Sequence, residues 1–388
     1  MAPNALSGTG VDLQPDAQVR QAGEVRSSRV ESLRALAALG VLVEHSYGYA
    51  HGFSATAIFS TFGDRLLAST GNGVYLFFSL SGYLLFLPFA RHYYLGSSKP
   101  SVGKYASNRA VRILPLYYVV IITYLLLGSA TLSQWVHYLT FTQNFSNGSL
   151  LRIDPPTWSI VAEVEFYAAL PLFAWALGRL SQGSLRRGAL LLGAVTAIAV
   201  LIRFGFVGTH ASTMAIYSPF TNTMFFAPGM FLALAKCARP ERFVARLPGV
   251  LRRAEVWLLV GVGLWVAHAW LFSYDELVAL ASLAVLGACV LPFEGGFALE
   301  VLEWRALALL GTASYSLYLW HDGVTKALAT VVPGGFVGLL VVVVPVCCAI
   351  AFASYAIIER PFLRLRKAWT STSSSARTTP GLAPAANS

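Results

Sequence analysis

Apolar residues run along this chain in long blocks, each about the length a helix needs to cross a bilayer, separated by polar or glycine- and proline-bearing connectors. The blocks predict ten spans, over residues 29–50, 70–90, 113–129, 158–178, 188–207, 214–235, 255–272, 277–293, 305–322 and 335–358. Residues 1–28 are polar and rich in Gly, Pro, Gln and Ala, which predicts a disordered cytoplasmic tail. Residues 367–388, rich in Ser, Thr, Ala and Pro, predict a second one. The expected fold class is all-α: a polytopic membrane helix bundle of about ten transmembrane helices, both termini cytoplasmic. Pro115 falls near the start of the third span, where a missing N–H costs little. The connector over 130–157, with Trp135, Gln143, Asn144 and Pro155-Pro156, is long enough to be either functional or disordered.

Composition sharpens this picture. Of the 388 residues 56% are hydrophobic and 12% charged, and the mean hydropathy is +0.61; a soluble domain carries about a quarter charged residues. A net charge of +10 would point to nucleic acid in a soluble protein, but here the basic residues cluster in connectors on one side. With both ends inside, the tails and the connectors holding Arg91 to Arg112 and Lys236 to Arg253 take most of the 28 Lys and Arg. Arg65, Arg152, Arg203 and Lys326 are left opposite. That bias predicts a multi-pass protein of the cell (inner or plasma) membrane with no nucleic-acid partner. Cys237, Cys289, Cys347 and Cys348 have no metal-type spacing, so neither a disulfide framework nor a metal site is expected. The first span is expected to act as an uncleaved insertion signal.

Ionisable residues inside apolar spans are costly, so they mark candidate chemistry. The first span carries Arg34, Glu44 and His45. A helix from Arg34 to His45 rises about 16 Å, roughly half the hydrocarbon thickness, in about three turns, so Arg34, Ala38, Val41 and His45 share a face. The plain alternative is a snorkelling arginine and a histidine bonded to a neighbouring helix. Arg109 and Arg112 lie three apart on the side of Arg34; together the three suit a polyanion, although each of the pair alone also fits topology determination or lipid headgroups. Glu163 and Glu165 enter the fourth span two apart, on different faces. Each could be a structural carboxylate bonded to tyrosine or arginine. Glu44 adjoins His45, but neighbours on a helix diverge, so Glu163, from another helix, is the better candidate to orient the imidazole, and Arg203 a candidate partner for Glu44. Tyr315, Tyr318 and His321 recur at threes, and Glu359-Arg360-Pro361 reads as a salt bridge or helix stop.

The set resembles the membrane acyltransferase 3 family. The motifs are Arg34 and His45 with ten residues between them, FFSLSG at 77–82, Arg109-x-x-Arg112 before Ile-Leu-Pro, WSIVAEVEFY at 158–167, SYSLYLWH at 314–321, and Glu359-Arg-Pro. The resemblance covers residues 29–366, which would form the acyltransferase 3 membrane domain. Two departures are Ile160, where leucine is usual, and Glu165, where glutamine is frequent. With only a short tail after the tenth span, the chain is similar to stand-alone members, among them O-acyltransferases of cell-envelope glycans and macrolides.

The resemblance implies transfer of an acetyl or other short acyl group from acyl-CoA, acetyl-CoA first among donors, to a hydroxyl of a sugar, glycoside or macrolide. Arg34, Arg109 and Arg112 would bind the donor's phosphates, His45 would act as general base and Glu163 would hold its tautomer or stabilise its cation. Trp158, Tyr167, Tyr315, Tyr318 and His321 would contact substrate, in contact with membrane lipid and with no metal. A covalent acyl-histidine is an alternative route. A secondary transporter or flippase for a glycoside or lipid-linked sugar is the competing reading; it predicts related halves with matching broken helices, which the sequence does not display.

Overall fold

A computed structural model describes residues 14–54, 60–208, 216–271 and 274–365. Among the described residues the chain is helical, its one extended pairing a single bridge between Arg253 and Glu294. Helix α1 spans Gln14–Ala50, followed by α2 (Phe62–Ser69), α3 (Gly73–Leu95), α4 (Val102–Leu127), α5 (Leu132–Leu139), α6 (Thr157–Ser181), α7 (Leu185–Gly208) and α8 (Pro219–Cys237). The short α9 (Pro240–Val244) leads to α10 (Ala254–Leu271), α11 (Glu276–Val290), α12 (Phe297–Leu302), α13 (Arg305–Thr312), α14 (Ser314–Ala329) and α15 (Gly335–Ser354).

Among the described residues each of the ten expected spans falls on helix, but six stretches are long and apolar enough to cross a membrane: Phe62–Leu95, Val102–Leu127, Thr157–Ser181, Leu185–Gly205, Ala254–Leu271 and Gly335–Leu365. The remaining spans fall short for identifiable reasons. α11 is apolar but has only 15 residues. α1 carries Arg34, Glu44 and His45, α14 carries His321, Asp322 and Lys326, and α8 opens with Thr221, Asn222 and Thr223, polar residues that lower the hydropathy of each. The ninth expected span is two helices, because Gly311, Thr312 and Ser314 are weak helix formers and the chain turns at Ala313, whose N–H is held by the Leu310 carbonyl.

Two connectors are also more ordered than expected. α1 starts at Gln14, so the later half of the predicted tail is helical; Gln, Ala, Glu and Arg predominate there and Pro15 sits in the first turn, where it is tolerated. Residues 1–13 and the predicted tail 367–388 lie outside the described residues. Within 130–157, Thr131 and Gln134 form a reciprocal capping box that starts α5, and buried Tyr138 ties that helix to the loop through the Ser149 carbonyl.

α1 threads the middle of the bundle, packed against α3, α11, α13, α14 and α15. Its residues Ala38 and Leu42 join Leu317, Leu339, Val343 and Cys347 in one apolar cluster. α3 and α8 pack closest, since a Cβ on Gly82 would overlap the Phe226 carbonyl and one on Gly229 would overlap the backbone of Ser79 and Tyr83. That fixes FFSLSG beside the centre of the bundle.

Candidate active site

The inward stripe of α1 reaches two cavities. Arg34 lines the first, of about 620 Å³, together with Arg109 and Arg112 from α4, Ser81 from α3, Glu163 and Tyr167 from α6, and Tyr315 from α14. The three arginines separated by the sequence therefore face one space. Arg112 donates to Glu359 (2.9 Å) and its guanidinium lies 5.9 Å from the Tyr315 ring centroid. The other Glu359 oxygen accepts from Ser316 Oγ at 2.5 Å. Arg360, the expected neighbour in a local ion pair, is not this carboxylate's partner; the helix forms a π turn over Tyr355–Glu359 that carries Glu359 to Arg112. Arg34 pairs with Glu31 at 3.4 Å, and the buried Nε of Arg109 has no partner among the described residues.

Glu163 belongs to this arginine cavity and not to the imidazole. Its Oε1 accepts from Ser81 Oγ (2.7 Å) and its Oε2 from Tyr167 OH (3.0 Å). The expected pairing with His45 is not formed, because the face of α6 that bears Glu163 points at Ser81 of α3. Tyr167 and Tyr315 are likewise here, Tyr315 donating to the Ile113 carbonyl at 3.0 Å.

The second cavity, about 1350 Å³, is lined by Glu44, His45, Tyr49, Trp158, Tyr217, Asp322 and Lys326, among others. His45 Nδ1 lies 2.7 Å from His321 Nε2, and His321 Nδ1 lies 2.6 Å from the Tyr318 carbonyl. A carbonyl only accepts, so neutral His321 carries its proton on Nδ1 and receives at Nε2. His45 must then donate from Nδ1, which leaves a lone pair on its Nε2. That atom faces Glu44, whose Oε2 is 3.5 Å away. The partner that sequence reasoning missed is thus His321, 276 positions away, with Glu44 as second neighbour. Glu44 does reach the adjacent ring because its long side chain bends across the helix surface, and the expected partner Arg203 is held by Asp275 at 2.5 and 2.9 Å.

Val74 and Tyr318 line both cavities. Tyr318 donates to the Pro156 carbonyl at 3.1 Å and lies 2.8 Å from Ser159 Oγ, so the loop after α5 and the start of α6 hold the ring that divides the two spaces. Within the wall of the second cavity, Tyr49 donates to Asp322 (3.1 and 3.2 Å). Buried Asp154, in the loop outside the membrane-spanning helices, has no hydrogen-bond partner among the described residues on either carboxylate oxygen; burial pushes its carboxyl well above the usual range, and the Asp322 charge adds to the shift.

A profile of the family described as "Acyltransferase domain" matches residues 28–359. The chain belongs to the acyltransferase 3 family. The matched stretch runs from just before the α1 stripe to Glu359, the carboxylate paired with Arg112. Among relatives, YrhL of Bacillus subtilis (strain 168), named as a candidate peptidoglycan O-acetyltransferase, is 26% identical over 367 residues, covering 86% of this chain and 54% of YrhL. Nodulation protein 10 of Rhizobium leguminosarum bv. viciae is 26% identical over 373 residues, covering 86% of this chain and 92% of that protein. A candidate O-acetyltransferase of Staphylococcus aureus (strain COL) is 22% identical over 367 residues, 86% of this chain and 56% of its own. The chain therefore spans about half the length of two of these family relatives. No solved structure matches the chain.

Proposed function

We propose that this protein is an integral membrane O-acyltransferase that moves a short acyl group from acyl-CoA to a hydroxyl of a sugar, glycoside or macrolide. The observation that carries the reading is the His45–His321 pair: its hydrogen bonds leave His45 Nε2 unprotonated in a cavity that meets the three-arginine cavity at Val74 and Tyr318. The O-acetyltransferase names of several relatives support the reaction class.

On this reading the donor's phosphates bind Arg34, Arg109 and Arg112, where guanidinium groups offer bidentate donors and Arg109 Nε has no other partner. The thioester carbonyl reaches the Val74–Tyr318 boundary. The acceptor occupies the histidine cavity, its ring against Trp158 and Tyr217. His45 Nε2 takes the hydroxyl proton as that oxygen attacks the thioester carbon. Glu44 stabilises the imidazolium, the C–S bond breaks, and the proton passes to the departing sulfur. His321 is a positioning residue that fixes the reactive tautomer, a role the sequence assigned to Glu163. Glu163 instead orders Ser81 and Tyr167 beside the donor.

The test is transfer of radiolabelled acetyl from acetyl-CoA to a panel of glycoside and macrolide acceptors by protein in lipid vesicles. Labelled ester formed in proportion to protein supports the reading. Acceptor movement across the vesicle with no thioester consumed would overturn it.

A further inference from the structure

Glu165 plays no part in that chemistry and is set apart by the cavity it lines. Glu163, Glu359, Asp275 and Asp322 each accept hydrogen bonds from a protein side chain. Glu165, two residues on from Glu163 along α6, makes no hydrogen bond or ion pair among the described residues, and its Oε2 is shut away from solvent. Asp154 shares this lack but lines none of the cavities described. Glu165 lines one of about 820 Å³, between α6, α7 and α8, whose walls are mainly apolar, Phe166, Leu170, Phe173, Phe226 and Met230 among them, with Thr223 the one other polar lining residue. No residue of this chamber also lines the arginine or histidine cavity. Its rim includes Ala169 and Phe220, which are exposed on the outside of the bundle, Phe220 by 71%.

A carboxyl in apolar surroundings with no partner is expensive, and the cost is removed by a ligand that brings a donor or a positive charge. The apolar walls select a hydrocarbon body. We propose that this chamber is a second binding site, entered from the lipid-facing side, for a bilayer amphiphile that pairs a hydrocarbon chain with a protonated primary amine. The ammonium donates to Glu165 and the chain lies between Phe166, Phe173 and Phe226. Glutamine at this position would donate and accept but carry no charge, so Glu165 gives the chamber a preference for cations.

Protein in phosphatidylcholine nanodiscs is titrated with decylamine, decanol and decyl sulfate. Decylammonium is expected to bind about tenfold more tightly than decanol, with decyl sulfate weakest, and Glu165→Gln to erase the difference between amine and alcohol. Should that variant fail to fold, the native protein decides. An apolar carbodiimide with decylamine should form an amide at the Glu165 carboxyl, releasing the urea, and peptide mass spectrometry reads its position. Equal affinity for amine and alcohol in the native protein, or labelling that spares Glu165, would overturn the proposal.

Discussion

The arginine and histidine cavities share a helix stripe and two lining residues, yet they are built on opposite principles. Cationic side chains dominate the first, and two are already paired, Arg112 with Glu359 and Arg34 with Glu31. Aromatic rings and the acids Glu44 and Asp322 dominate the second, with Lys326 as its one basic lining residue among those described. A polyanion suits the former and an uncharged, ring-bearing molecule the latter. The difference teaches that chemical preference can be switched within a few helical turns when one stripe presents arginine at one end and imidazole at the other.

The largest expected effect breaks this contrast at the imidazole. His45→Ala should lower acyl transfer by about 10²–10⁴-fold, with acetyl-CoA affinity unchanged, as measured by labelled transfer and equilibrium binding on the same preparation. A variant that loses donor binding instead would erase the division of labour. Next, Arg34→Ala and Arg109→Ala should each raise the KM for acetyl-CoA by about tenfold or more and leave acceptor KM within twofold, since each removes charge-assisted hydrogen bonds to phosphate. Unchanged donor KM in both would remove the arginine cavity from donor binding.

The smallest effect concerns the acidic edge. Asp154 has a folded-state pKa raised above its unfolded one, so the stability it contributes is fully present below the ordinary aspartate pKa and is lost as pH rises toward the folded value. Asp154→Asn should therefore match the native melting temperature in acid and exceed it progressively as pH rises, by about 2 °C or more at neutral pH. A gap that is constant with pH would show that ionisation is not the cause.

Helix positions and the pair of candidate groups on α1 were legible in sequence because apolar blocks and the 3.6-residue period are local properties. The arginine cluster was legible because its members sit near the starts of spans on one side. Pairings between helices were not. Periodicity placed Glu163 on a face but could not say which helix that face meets, and it meets Ser81. His321 was visible as part of a polar stripe, while its role depends on α14 crossing α1 at His45, which only the assembled bundle provides. The break at Ala313 was foreshadowed by Gly311 and Thr312, but apolar content masked it. The Thr131-x-x-Gln134 capping signal was in plain view and marks α5 inside what read as a loop.

The π turn at the end of α15 holds one residue more than an ordinary coil of helix needs, and the surplus aims Glu359 at the guanidinium of Arg112. Wound as ordinary α-helix, the same five residues would turn the carboxylate away from that guanidinium by roughly 90°. The cationic mouth is thus clasped by the winding of the backbone as much as by chemistry.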